Sequence, residues 1–216
     1  MDPAGLSVVE RASVMFGERL SDFARDYGDE YTDFTIKCGD RTWGCHRVIL
    51  ATSSEQMRQA INREGKDGVL DLYMTEEPLV DALLCSMYKA DYEIPPSVSQ
   101  VPVAKALGNQ YVFHARMAIL ADTYDMPQMH LLARAKMQEA IMRSEDWATF
   151  LRDFCVAVGI AYVHQWFAEG VRSILTDCIL SNEDDLLAEP MFQGIMQQHP
   201  QLGIDLQQKR VLYGLQ

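Results

Sequence analysis

No segment of this 216-residue chain is basic. The formal net charge of −12 is spread as −4 over residues 1–30, −3 over 31–142 and −5 over 143–216. Neutralising phosphates supplies most sequence-independent affinity for DNA or RNA, and this composition offers nothing to do it with. No direct nucleic-acid partner is therefore expected. Long hydrophobic runs are also missing: none approaches the roughly 20 residues of a membrane span. The opening residues, Met1-Asp2-Pro3-Ala4-Gly5, contain no basic stretch leading into an apolar one. The expected setting is intracellular, cytoplasm or nucleus, without a membrane partner.

Cysteine is sparse and odd in number. Cys38, Cys45, Cys85, Cys155 and Cys178 are widely spaced in apolar context, with no C-x-x-C pair, and read as reduced core thiols rather than a disulfide frame. Cys45-His46 is the one Cys/His neighbour pair; side chains of adjacent strand residues point to opposite faces, so the two cannot readily share a metal. His114, His130, His164 and His199 stand singly, without ligand spacing. Glu183-Asp184-Asp185 lacks the glycine and alternating oxygens of a calcium loop and reads as the acidic start of a helix. No repeat of 20–50 residues is evident, which sets a solenoid aside. No metal, cofactor or catalytic residue is expected. A nucleophilic Cys45 or Cys85 would need a depressed thiol pKa, and only His46-Arg47 beside Cys45 supplies a basic neighbourhood.

What the chain does have is ordinary globular chemistry, 48% hydrophobic and 23% charged. From Thr32 to Ser54 the pattern reads as a hairpin passing into a helix. Phe34, Ile36 and Cys38 alternate with Thr35 and Lys37, Gly39-Asp40 supplies the turn, and Thr42-Trp43-Gly44-Cys45 starts a second strand. Val48, Ile49, Ala51 and Thr52 then repeat at helical spacing. Ser53 or Ser54 can cap a further helix through Met57, Ala60 and Ile61. Val69-Leu70-Asp71-Leu72 is a short third strand between glycine breaks and the next helix. Glu76, Glu77 and Pro78 suit the start of that helix, whose apolar face is Leu79, Val80, Leu83, Leu84, Met87 and Tyr88.

Before this region, residues Leu6 to Tyr27 carry a helix-like stripe, Val9, Phe16, Leu20 and Phe23. After it, Pro95, Pro96 and Pro102 interrupt the pattern, and residues 90–112 read as a loop insertion. A helix resumes from His114 to Tyr124, Asp125-Met126-Pro127 breaks it, and another carries Met129, Leu132, Ala133, Met137 and Ile141. Met126, Met129, Met137 and Met142 read as adaptable core filler. From Asp146-Trp147 onward everything looks helical. Two or more helices span Phe150 to Phe167, and further amphipathic stretches run Val171 to Leu180, Asp184 to Met196 and Gln201 to Leu212, with Pro190 and Pro200 as breakers.

This order of elements reaches motifs that resemble the BTB/POZ domain. The opening motif stands as Asp33, Gly39, His46-Arg47, Val48-Ile49-Leu50 and Ser54, and the second as Leu120-Ala121-Asp122-Thr123-Tyr124-Asp125-Met126-Pro127-Gln128-Met129. Phe113-His114-Ala115-Arg116 is similar to a stretch that precedes the final helix pair in a fungal subgroup with a helical tail. The resemblance implies an α+β fold: a small three-stranded sheet flanked by a helical cluster over residues 31–142, after an N-terminal helical segment (1–30) and before an all-helical extension (143–216). It also implies a protein–protein interaction adaptor that homo-oligomerises, as a dimer first of all. Some members dock a cullin scaffold in a ubiquitin ligase; others act as structural or co-regulator scaffolds with no ligase link.

At residue level, the resemblance makes Asp33 and Arg47 a buried or half-buried charged pair lining a pocket near the dimer interface. His46 beside them is expected as a packed imidazole bonded to backbone. Ile61 and Glu64 are the candidate partner contacts, because cullin-binding members carry a hydrophobic residue two places before a glutamate; here that place is Asn62, and Ile61 comes one place earlier. Where the family commonly has Ser-Pro followed by a bulky aromatic, this chain has Ser54-Glu55-Gln56-Met57.

Overall fold

The computed structural model describes residues 31–64, 68–73, 75–95, 109–144, 146–163 and 169–214. The expected helix from Leu6 to Tyr27 lies outside them. The chain divides into two compact units, Met1–Glu93 and Ile94–Gln216.

The first unit is built on strands β1 (Phe34–Cys38), β2 (Arg41–Cys45) and β3 (Val69–Asp71), in the order β2-β1-β3. β1 pairs antiparallel with β2, Cys38 opposite Arg41, and parallel with β3, Ile36 opposite Leu70. The alternation along β1 is the expected one: Phe34, Ile36 and Cys38 are buried while Lys37 is exposed. Gly39 turns the hairpin at φ +58, a left-handed conformation that a residue without Cβ adopts at little cost.

Among the described residues, three helices complete this unit: α1 (Arg47–Ser53), α2 (Glu55–Glu64) and α3 (Glu77–Lys89). Ser54 ends α1 and caps α2, its Oγ accepting from the Met57 N–H at 3.1 Å. Met57 itself is fully buried. On α1, helical phase turns Leu50 inward and leaves Val48, one of the residues that suggested the helix, 66% exposed. Pro78 sits in the first turn of α3 as expected. From the exposed side of that helix Asp81 accepts from Trp43 Nε1 at 2.8 Å and from Arg41 at 2.6 Å, joining α3 to β2.

The second unit is helical throughout its described residues. Its first pair is α4 (Gln110–Thr123) and α5 (Pro127–Met142), packed extensively on each other. Here two readings of the sequence are corrected. The helix begins at Gln110 and not at His114, because the Asn109 side chain accepts from the Val112 N–H at 2.7 Å and starts it early. Residues 110–112 thus belong to a helix and not to the 90–112 loop, and Phe113-His114-Ala115-Arg116 lies within the pair. Asp125, at φ 52, makes the break before Pro127. Met126, Met129 and Met137 fill the core; Met142, at the end of α5, is exposed.

Beyond them lie α6 (Trp147–Val163), α7 (Glu169–Ser181), α8 (Glu183–Leu187), α9 (Pro190–Gln198) and α10 (Pro200–Tyr213). The apolar pattern from Phe150 to Val163 forms one long helix, since no proline interrupts it and the helix carries through Gly159; residues 164–168 lie outside the described residues. The stretch Asp184 to Met196 is two helices, cut at Pro190, whose ring cannot supply the N–H that a continuing helix needs. Glu183, Asp184 and Asp185 do form the acidic first turn of α8.

α6 is joined to α4 by core and by polar contact. Phe150 stacks on Phe154 at 5.0 Å and meets Tyr111 edge-on at 5.8 Å, while Asn109 Nδ2 donates to the Asp153 carbonyl at 3.0 Å. The final helix pair of the family segment and the C-terminal helices therefore share one core.

Candidate protein interaction site

The residues marked by the opening motif meet at the start of α1. β1 brings in Asp33 just ahead of its first residue, the end of β2 delivers His46, and the first turn of α1 carries Arg47. Asp33 Oδ1 accepts from the Arg47 backbone N–H at 2.8 Å, and Arg47 Nε donates to the Asp33 carbonyl at 2.9 Å. The carboxylate thus satisfies one of the donors that every helix N-terminus leaves without an intrahelical partner, from fourteen residues upstream. Arg47 is half-buried, within the expectation of a buried or half-buried pair, whereas Asp33 is exposed and departs from it. The guanidinium also lies over the Phe34 ring, 4.7 Å from its centroid.

His46 is buried, as expected, and its bonding centres on a phenol. Tyr88, from the far end of α3, accepts from the His46 backbone N–H at 3.0 Å and lies 2.8 Å from Nδ1. One phenol oxygen thus serves both the backbone and the ring of His46, and which partner donates at the Nδ1 contact follows the imidazole tautomer. Burial pushes the Tyr88 hydroxyl up to about 12, which keeps it a donor at neutral pH. Tyr88 was legible as an apolar helix position and not as this partner. Its one sequence signal is that tyrosine there replaces a purely apolar side chain.

The other two marked residues separate. Ile61 is only 5% exposed and packs inward with Met57 and Ala60, so it is not a surface contact; the phase of α2 places it on the core side. Glu64, at the end of the same helix, is exposed, as are Asn62 and Arg63.

Neither of the cysteines nearest this region is an activated nucleophile. Burial pushes the Cys45 thiol up to about 12 and raises that of Cys85 as well. The described cysteines are all unpaired; four are buried, and Cys85 is half-buried rather than a full core residue. Among the described residues no group of three or more His, Cys, Asp or Glu side chains could hold a metal ion, and no helix is long and apolar enough to cross a membrane.

Comparison with known proteins completes the picture. The family model described as "BTB/POZ domain" matches residues 24–139, just over half of the chain and both of its signature segments. The chain belongs to the BTB/POZ family. BTB domains are protein–protein interaction modules that oligomerise, and the fold is not an enzyme fold. The solved structures similar to this chain include the BTB domain of zebrafish PATZ1, at 15% identity and a TM-score of 0.43, covering 61% of this chain and 95% of that one. No curated protein matches the chain.

Proposed function

We propose that this protein is a non-catalytic adaptor that forms homodimers through its BTB segment and brings other proteins together. The observation that carries the reading is family membership across residues 24–139. The corner built by Asp33, Arg47, His46 and Tyr88 supports it, because this corner fixes the entry to α1 and so sets the direction of the exposed Val48. A helix start held from several directions presents its exposed side chains in a fixed arrangement, which lowers the cost of ordering them in a contact.

The two finer readings differ in whether a cullin scaffold is among the partners. Burial of Ile61 and the exposed polar Asn62 favour the scaffold without a ligase link, since no hydrophobic side chain stands two places before Glu64 on the surface of α2. Light scattering coupled to size exclusion tests the dimer; a chain that stays monomeric at tens of micromolar overturns it. A pull-down against a purified cullin N-terminal domain tests the other point, and robust capture would restore the ligase-linked version.

A further inference from the structure

The last helix, α10, has two unlike sides. Its inner side is anchored by Leu202 and Leu206, both buried, and by polar ties to α6, α7 and α8. Its outer side is a shallow groove lined by Pro200, Gly203, Ile204, Gln207, Gln208 and Val211. Those positions recur at helical steps of three and four, so they form a single stripe along the whole element. Ile204 is 50% and Val211 72% exposed.

Two properties of the stripe limit what can cover it. It carries no charged side chain, in a chain whose net charge is −12. Two copies of such a chain repel wherever their acidic surfaces face each other, so close approach of copies is easiest across an uncharged strip. The stripe is also self-complementary. Each glutamine amide both donates and accepts, while an acidic or basic partner would find no opposite charge. Gly203 points the same way. A glycine in the interior of a helix is unfavourable relative to alanine, yet a Cβ at 203 would meet nothing nearer than Met196 Cε at 3.9 Å. Nothing within the fold demands the missing side chain; a second backbone approaching from outside would.

We infer that the outer face of α10 docks against α10 of a second copy, antiparallel, at an interface separate from the BTB segment. About a two-fold axis across the middle of the stripe, Pro200 of one helix lies opposite Val211 of the other. Gln207 of one then lies over the gap at Gly203 of the other, and Ile204 against Gln208. A helix about 20 Å long covers well under the roughly 800 Å² per partner of a standard stable interface. The contact is accordingly concentration-dependent, and it adds a second association step to whatever the BTB segment forms.

Sedimentation velocity of the full chain over a wide concentration range tests this. The expected result is a doubling of mass at high concentration, favoured by added salt because salt screens the repulsion between acidic bodies. Ile204→Glu combined with Val211→Glu, both on exposed positions, should weaken that step at least about tenfold while leaving the circular dichroism unchanged. Gly203→Ala should give opposite signs in two readouts, a raised melting temperature and a weakened association. Failure of the BTB reading would show differently, as a monomer at low concentration in wild type and variants alike. The inference falls if the doubling is absent, if it survives the double glutamate variant, or if salt weakens it.

Discussion

The hydroxyl of Tyr88 serves two groups of His46 at once, the backbone N–H at 3.0 Å and the ring Nδ1 at 2.8 Å, across forty-two residues of sequence. Both groups lie where water has little access, His46 being buried. Tyr88→Phe keeps the ring volume and removes the oxygen that both the backbone N–H and the ring nitrogen of His46 bond. Each such loss costs about 1–3 kcal/mol. We expect Tyr88→Phe to lower unfolding stability by about 2 kcal/mol in urea titration. A change inside the roughly 0.5 kcal/mol of an ordinary surface substitution would show that the bond contributes nothing.

Asp33 offers a sharper distinction, between a cap and a charge. Its Oδ1 accepts from the Arg47 backbone N–H, a bond that an asparagine side chain can make equally well. Asp33→Asn should therefore be close to neutral, whereas Asp33→Ala should cost about 1 kcal/mol. Thermal melts of the two variants decide the matter. If asparagine costs as much as alanine, the carboxylate acts through its charge.

These two residues also show where sequence reading stops. The hairpin was legible because burial on one face of β1 imposes a period of two on Phe34, Ile36 and Cys38, and Ser54 was legible as a cap because capping is a local event. Asp33 could be marked, and its bond to the start of α1 could not, since the distance closes only once the hairpin has folded back. Tyr88 fits its helix face as an apolar residue, and periodicity cannot say which distant polar group its hydroxyl will meet. Ile61 is the converse case: the family pattern pointed outward, and the local phase of α2, with Met57 and Ala60, turned it in. Asn109 was hidden by its chemistry, because asparagine serves turns as readily as helix starts and here follows a stretch broken by Pro95, Pro96 and Pro102.

Within the second unit, Gly170 lies against the imidazole of His130. A Cβ at 170 would stand 2.5 Å from His130 Cε1 and 2.9 Å from Arg134 Cδ, closer than such atoms pack. Gly170→Ala gains helix propensity and loses more to this overlap, for a net cost of about 1–3 kcal/mol. His130→Ala opens the space, so the double variant should recover most of the loss caused by the alanine at 170. A double-mutant cycle in urea measures the coupling, and strict additivity would place the strain elsewhere.

Stability should fall at both ends of the pH scale, for different groups. Burial holds His114 down to about 4 from its ordinary 6.5, with Lys136 acting in the same direction. The unfolded chain then takes up a proton at a higher pH than the folded one, so the stability contributed is complete above 6.5 and is lost as pH falls toward 4. At the alkaline end, burial raises Cys45 to about 12 and Cys155 and Cys178 to about 11. The folded state holds these protons longer than the unfolded one, so stability falls as pH rises from about 9 through 11–12. Urea midpoints from pH 4 to 10 should trace a plateau between these limits. His114→Gln should flatten the acid limb, and an unaltered slope would assign that limb to other groups.

The anchoring of α10 yields the final test. Tyr162, buried on α6, donates to Asp205 Oδ2 at 2.9 Å, and Gln201 Nε2 donates to Oδ1 of the same carboxylate at 2.7 Å. Arg172 on α7 stands 3.8 Å from that Oδ2, and Lys209 ties the helix to Asp177 at 2.5 Å. Burial, and after it the hydrogen bond to Asp205, drives the Tyr162 hydroxyl well above its usual range and keeps it protonated as the donor. Only Leu202 and Leu206 of this helix are buried, so its polar ties supply a substantial share of its attachment. Asp205→Ala removes the acceptor that Tyr162, Gln201 and Arg172 converge on. We expect hydrogen exchange of the α10 amides to accelerate at least about tenfold, corresponding to about 1.4 kcal/mol of local opening, with amides of β1 and α3 unchanged. Asp205→Asn keeps an acceptor for Tyr162 and should retain most of the protection. Equal acceleration across the whole chain would mean that α10 opens only when everything else does, and that its polar ties hold no separate equilibrium.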